Sequence, residues 1–314
     1  LNELTTVTRS GTLTVAGTTT SAATNVTVNA LTATRYGDAT FAREGFPLVD
    51  ATTNFTAIAK DSYGRSDTNT VSVNLAASVA FVYDLNGNLR TNGTQVFEYD
   101  DENQLIRITQ TSAWKSEFTY DGNLRRRIRQ EYGWVSSAWV LTNEVRYVYD
   151  GNLVIQERDA NNLPTATYTR GKDLSGTMEG AGGIGGMLAR TDHGQASLLT
   201  HALYHADGNG NIMALVATNG ILLGRYHYDP YGNLLAVNGQ AAQANLYRFS
   251  SKEWHANSGL VYYLYRFYDG GLQRWVNRDP LGDPGFVFKA SNSRKDPLGV
   301  GVLLTSVLLP IYNL

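Results

Sequence analysis

The sequence predicts an all-β fold, a run of stacked β-hairpins preceded by a β-sandwich-like module. Three observations carry that expectation. A Tyr-Asp unit closing on Gly-Asn-Leu or a close variant recurs at Tyr83, Tyr99, Tyr120, Tyr149 and Tyr228, with a diverged copy at Asp207. An aromatic residue stands two places before each of those tyrosines (Phe81, Phe97, Phe118, Tyr147, Tyr226), which is strand alternation with one aromatic face. The composition favours strands and turns, with 19 Tyr and 31 Gly, while charged residues make up only 17%. A unit returning at intervals of roughly 16–36 residues marks a repeat architecture rather than one compact enzyme pocket. A lone hairpin is marginal in water, so each unit must stack on its neighbours.

Residues 1–78 lack the unit and are rich in Thr, Ala, Val and Asn. Alternation at residues 11–16, 24–29 and 71–75, and the strand-then-turn run from Phe55 to Gly64, predict a small β-sandwich. The pairing of residues 54–65 with 70–73 resembles the last two strands of bacterial immunoglobulin-like modules, which space or bind.

Residues 79–244 hold the hairpins. Asp121-Gly122 and Asp150-Gly151 predict two-residue turns, because both central residues must accept positive φ. The longer Asp-x-x-Gly-Asn form predicts a type I turn with Gly in the left-handed position and Asp capping the turn amides. Leu then resumes the buried face, so Tyr and Leu both pack inward. A Gly-rich stretch at 176–186 contains the letters of a dinucleotide fingerprint. It follows no βαβ strand and opens no helix, so a close-packed turn is expected. Asp207 to Asn211 imitates the start of a calcium loop, but Ile212 and Thr218 occupy the places that need Gly and Glu; a hairpin turn is expected. His201 and His205 have zinc-ligand spacing for a helix, in a region that reads as strand. No metal and no cofactor are therefore expected.

Residues 245–300 change character. Aromatics are dense between Tyr247 and Trp275 and alternate with polar residues, as in a packed strand pair. An exposed strip of Tyr262, Tyr265 and Trp275 binding glycans is the alternative reading. The last residues, 301–314, form an apolar tail shorter than the ~20 residues a membrane span needs.

With these motifs in view, the chain resembles the RHS/YD-repeat family over about residues 79–300. The Tyr-Asp units resemble its repeats. Tyr262 to Gly282, ending in Arg278-Asp279-Pro280-Leu281-Gly282, is similar to its repeat-associated core motif. The resemblance implies repeats coiled into a curved shell wall, here a partial one. It also implies upstream repeats of a longer chain and a C-terminal passenger, commonly a toxin, as partners. Secretion or display on a bacterial surface follows from the same likeness. It further implies self-cleavage of aspartic-protease type by Asp279 and Asp296, with Arg278 orienting a carbonyl or carboxylate and the bond between Val300 and Gly301 as target. Two neighbouring carboxylates cannot both ionise easily, so one can hold a proton while the other activates water. Such an enzyme would act once, in cis. This chain departs from the family in placing Val at 300 and in setting the two aspartates only 17 residues apart. The competing expectation is that Asp-Pro-Leu-Gly is simply a turn.

Charge and composition narrow the remaining classes. A net charge of −2 gives no electrostatic basis for nucleic acid or acidic membranes. The Arg125 to Arg129 cluster reads as a solvated hairpin edge, its members alternating between faces. Absence of cysteine excludes disulfides and thiolate metal sites. The chain opens at Leu1 with no charged n-region or apolar h-region, so it reads as a fragment or processed chain with any leader upstream.

Overall fold

Alternating aromatic and polar residues separated by Asp-led turns produce a fold made of strands throughout. The computed structural model describes residues 3–194 and 201–279. No α-helix occurs among them.

The N-terminal part contains β1 (Thr6–Thr8), β2 (Thr12–Thr18), β3 (Asn25–Val28), β4 (Leu31–Thr32), β5 (Thr34–Arg35), β6 (Thr40–Pro47), β7 (Thr52–Lys60), β8 (Ser66–Asn74) and β9 (Ser78–Ala80). Sheets of order β2-β6-β5 and β4-β3-β7-β8 share one apolar core of Val26, Val28, Phe41, Phe46 and Phe55. β1 lies outside both: it pairs with β9, and Leu4 and Val7 pack on the core of the first hairpin repeats.

The repeats form one antiparallel sheet of 14 strands in strict sequence order. These are β10 (Val82–Tyr83), β11 (Leu89–Thr91), β12 (Val96–Tyr99), β13 (Leu105–Gln110), β14 (Trp114–Tyr120), β15 (Arg126–Val135) and β16 (Ala138–Asp150), then β17 (Leu153–Arg158), β18 (Pro164–Arg170), β19 (Met187–Asp192), β20 (His201–Ala206), β21 (Ile212–Ala217), β22 (Leu222–Tyr228) and β23 (Leu234–Asn238). All five aromatics two places before the repeat tyrosines are buried: Phe81, Phe97, Phe118, Tyr147 and Tyr226.

The turns follow one local rule. In the loop 84–88, Asp84 Oδ1 accepts the amides of Asn86 and Asn88 (both 2.9 Å), and Oδ2 accepts the Asn88 side chain (2.9 Å). The fourth residue, Gly87, has φ +86°. Asp100, Asp207 and Asp229 repeat the pattern with Gln104, Asn211 and Asn233. This is a type I turn closed by a left-handed residue, as expected for the longer form.

Two expectations about turns need correction. Asp121-Gly122 does not form a two-residue turn; it opens the same long loop, closed by Asp121 N–H to Arg125 O at 2.9 Å. Leu124 then occupies the left-handed position (φ +60°), and Arg126, not Leu, resumes the buried face. At Asp150 the turn does contain two residues, but they are Gly151 and Asn152, since Asp150 pairs with Leu153. The loop at Asp159 follows the long form too, although Arg158 stands where most copies have Tyr and Asn162 where most have Gly.

After β23, residues 240–252 fold back under the sheet, and β24 (Glu253–Trp254), β25 (Val261–Tyr262), β26 (Phe267–Asp269) and β27 (Arg274–Trp275) form a second, smaller sheet. Phe267, Tyr262, Leu260 and Val276 join the core of the first repeats; Ala241, Ala242 and Tyr247 join that of the later ones.

Candidate functional site: the joint between the repeat sheet and the Tyr-rich segment

Repeats are tied to one another by their tyrosines. Tyr99 Oη donates to Leu89 O (2.9 Å), Tyr120 to Leu105 O (2.7 Å), Tyr149 to Arg126 O (2.8 Å) and Tyr228 to Ile212 O (2.9 Å). In each case the acceptor is the first residue after the preceding Asp loop of the series. Burial raises the pKa of all four phenols, which remain protonated donors. The sequence showed the tyrosines but not this acceptor, which is fixed only when hairpins stack.

The Tyr-rich segment docks on the sheet through a buried charged cluster. Glu253 is 3% exposed and forms ion pairs with Arg126 and with Arg129 (3.6 Å), and it accepts the Tyr147 hydroxyl (3.0 Å). Burial opposes its ionisation, but the two guanidiniums prevail and hold its pKa below the usual carboxylate value. Arg126 lies between the rings of Tyr262 (4.1 Å) and Tyr147 (4.6 Å). Next along, Glu131 accepts from Ser116, from Asn257 Nδ2 (2.8 Å) and from His255 Nε2 (3.0 Å). Desolvation works against it, yet the hydrogen bond and charge of His255, with Arg129 behind, pull Glu131 to about 2. His255 is fully buried, and burial lowers its pKa despite Glu131. Since the Ser258 amide points at Nδ1 (3.3 Å), Nδ1 is the acceptor and Nε2 carries the proton toward Glu131. The expectation that residues 125–129 form a solvated edge therefore fails for Arg126 and Arg129. They face inward, where Glu253 and the tyrosines replace water.

At the other end of the segment, Asn277 bridges three chain stretches. Its Nδ2 donates to Asn103 O (3.1 Å) and Tyr265 O (3.2 Å), and its Oδ1 accepts from Phe267 N–H (2.9 Å). Arg278 N–H donates to the fully buried Asn88 Oδ1 (2.7 Å). Asp279 follows at once, 3.4 Å from Arg266 Nη2. The path into Asp279 is thus fixed to the first two Asp loops. Asp296 and the bond between Val300 and Gly301 lie outside the described residues.

The proposed aromatic strip does not form a single exposed row. Tyr262 is 6% exposed, its hydroxyl accepting Arg126 N–H (3.0 Å), because it fills the joint. Tyr265 is half-buried, and Trp275 is exposed but packs against Tyr263 (5.1 Å) and under Arg266 (4.1 Å). The Gly-rich stretch is a turn built around Asp173. Its Oδ2 accepts the amides of Ala181 (2.7 Å) and Gly183 (3.0 Å), leaving no cradle of free N–H groups there for a dinucleotide. His201 and His205 lie on β20, and no group of three metal-ligating side chains occurs among the described residues. No helix among them is long and apolar enough to cross a membrane.

Fold and joint together define a class: an all-β hairpin-repeat sheet with a Tyr-rich segment keyed into it by buried charge. No family model matches the chain. It is 28% identical over 207 residues, 65% of its length, to the tRNA3(Ser)-specific nuclease WapA of Bacillus spizizenii. It is 27% identical over 217 residues to the double-stranded DNA deaminase toxin A of Burkholderia cenocepacia. The chain spans 8% of the first relative and 15% of the second. Among solved structures, the Photorhabdus luminescens Tc holotoxin pore aligns with 76% of the chain and 13% of its own at 17% identity, with a TM-score of 0.49.

Proposed function

We propose that the chain is a section of an RHS/YD-repeat shell, a structural wall that encloses or presents a C-terminal passenger in toxin delivery between bacteria. The observation that carries this reading is the joint. The Tyr-rich segment is held to the sheet by Glu253, Arg126, Arg129 and Glu131, a buried network whose carboxylates are already paired with the protein's own cations and donors. Such a joint suits a wall that must stay closed around cargo. The relatives, much longer proteins named as a nuclease and a deaminase toxin, fit a scaffold that serves different passengers. Under this reading the protein is secreted, its N-terminal sandwich is an immunoglobulin-like spacer, and upstream repeats complete the wall. The test is limited proteolysis of the chain expressed with its native flanking coding sequence. A downstream passenger should resist protease in the intact protein and be digested when expressed alone. Equal digestion in both would refute the reading.

A second reading, self-cleavage after residue 300, is supported by the anchoring of Asp279 through Arg278, Asn88 and Arg266. Intact mass of freshly purified protein tests it. A full-length mass, the same for wild type and Asp279→Asn, would remove it.

A further inference from the structure

A small cleft of about 40 Å³ lies between β16–β18 of the wall, the Gly-rich turn and β24. Three of its lining groups lack a charged or polar side-chain partner. Arg170 Nε donates only to Val154 O (3.0 Å), and Lys252 Nζ donates to Gly182 O; neither forms an ion pair among the described residues. The Tyr247 hydroxyl, on a residue 3% exposed, has no hydrogen-bond partner among the described residues. Carboxylates nearby are already committed. Glu253 is held by Arg126, Arg129 and Tyr147; Asp173 by turn amides; Glu179 by the Asn152 amide (3.2 Å). The two cations also face each other's field: burial first, then Arg170, lowers the Lys252 pKa to about 8.

Arg170 stacks on the Tyr247 and Tyr168 rings (5.3 and 5.8 Å) and Lys252 lies over Tyr263 (5.7 Å). Neither has an anionic partner among the described residues, and with the orphaned Tyr247 donor they leave one small space short of negative charge. We propose that this cleft binds a small monovalent inorganic anion, chloride being the type, held by Lys252, Arg170 and the Tyr247 hydroxyl. A cleft this small suits a monatomic ion. The bound ion would tie the Gly-rich turn and wall to the strand carrying Glu253.

Thermal unfolding at constant ionic strength, with sodium gluconate replaced stepwise by sodium chloride, tests the proposal. Gluconate is too large for the cleft. The wild type should gain about 2 °C or more in Tm, saturating with chloride, by mass action on the folded state. Lys252→Met and Tyr247→Phe should flatten that dependence. Bromide-soaked crystals should show an anomalous peak beside Tyr247 Oη. A wild-type Tm indifferent to the exchange, an unchanged chloride dependence in Lys252→Met, or a water without anomalous signal at that position would each overturn it. None of these outcomes bears on whether the wall encloses a passenger.

Discussion

Glu253→Gln should destabilise the protein by about 3 kcal/mol, the low end of the cost of breaking a buried ion pair. The magnitude follows from what the carboxylate compensates. Glu253 is the only ion-pair partner of Arg126 among the described residues, and Arg126 is 1% exposed with Nε and Nη1 making no hydrogen bond. Arg129 keeps Glu131 at 3.4 Å, so one cation, not two, is stranded. Glutamine preserves the volume and can still accept from Tyr147, which confines the loss mainly to charge. Urea unfolding followed by tryptophan fluorescence measures it. Arg126→Met added to Glu253→Gln should recover part of the loss, since no orphaned guanidinium remains. A loss under about 1 kcal/mol for the single variant, or strictly additive costs in the pair, would refute the argument that this joint is electrostatically closed.

Acid should loosen the same joint. Glu131 titrates at about 2 when folded against 4.5 unperturbed, so its contribution is complete above about pH 4.5 and is lost as pH falls toward 2, up to about 3 kcal/mol. His255, lowered by burial, adds a loss that begins below its ordinary value of 6.5, where the unfolded chain takes up the proton first; urea midpoints measured from pH 7 to pH 3 should fall monotonically. Tyr120→Phe, which leaves Leu105 O without its donor, should cost about 1 kcal/mol in the same unfolding assay, and Tyr99→Phe a similar amount. Leu124→Gly should raise stability by about 0.5–1 kcal/mol, because Leu124 holds the left-handed conformation that glycine adopts freely. Gly232→Ala should lower stability by about 2 kcal/mol, since at φ +90° the new Cβ would sit 2.6 Å from the Phe249 ring; calorimetry separates the two signs.

Much of the repeat was legible because its information is local. Asp84, Gly87 and Asn88 satisfy one another within five residues, and Phe81 and Leu89 take the buried face by alternation alone. The same local reading misjudged Asp121-Gly122. Choosing between a short and a long turn depends on which later residue, here Arg126, the sheet accepts opposite Tyr120. It also missed the buried face of Arg126 and Arg129. Periodicity shows that alternate residues share a side, but not whether water or Glu253 awaits them there.

By itself, then, the sequence determined the strand class, the repeat, the Asp loops that close on Gly-Asn and the inward aromatics, all consequences of hydrogen bonds and alternation between near neighbours. Only the tertiary structure decided the Tyr hydroxyl ties between hairpins and the joining of Arg126, Arg129 and Glu131 to Glu253 and His255. The physical reason is that a charge or hydroxyl is stable in the interior only with its partner in place. Here those partners come from parts of the chain that the fold alone brings together.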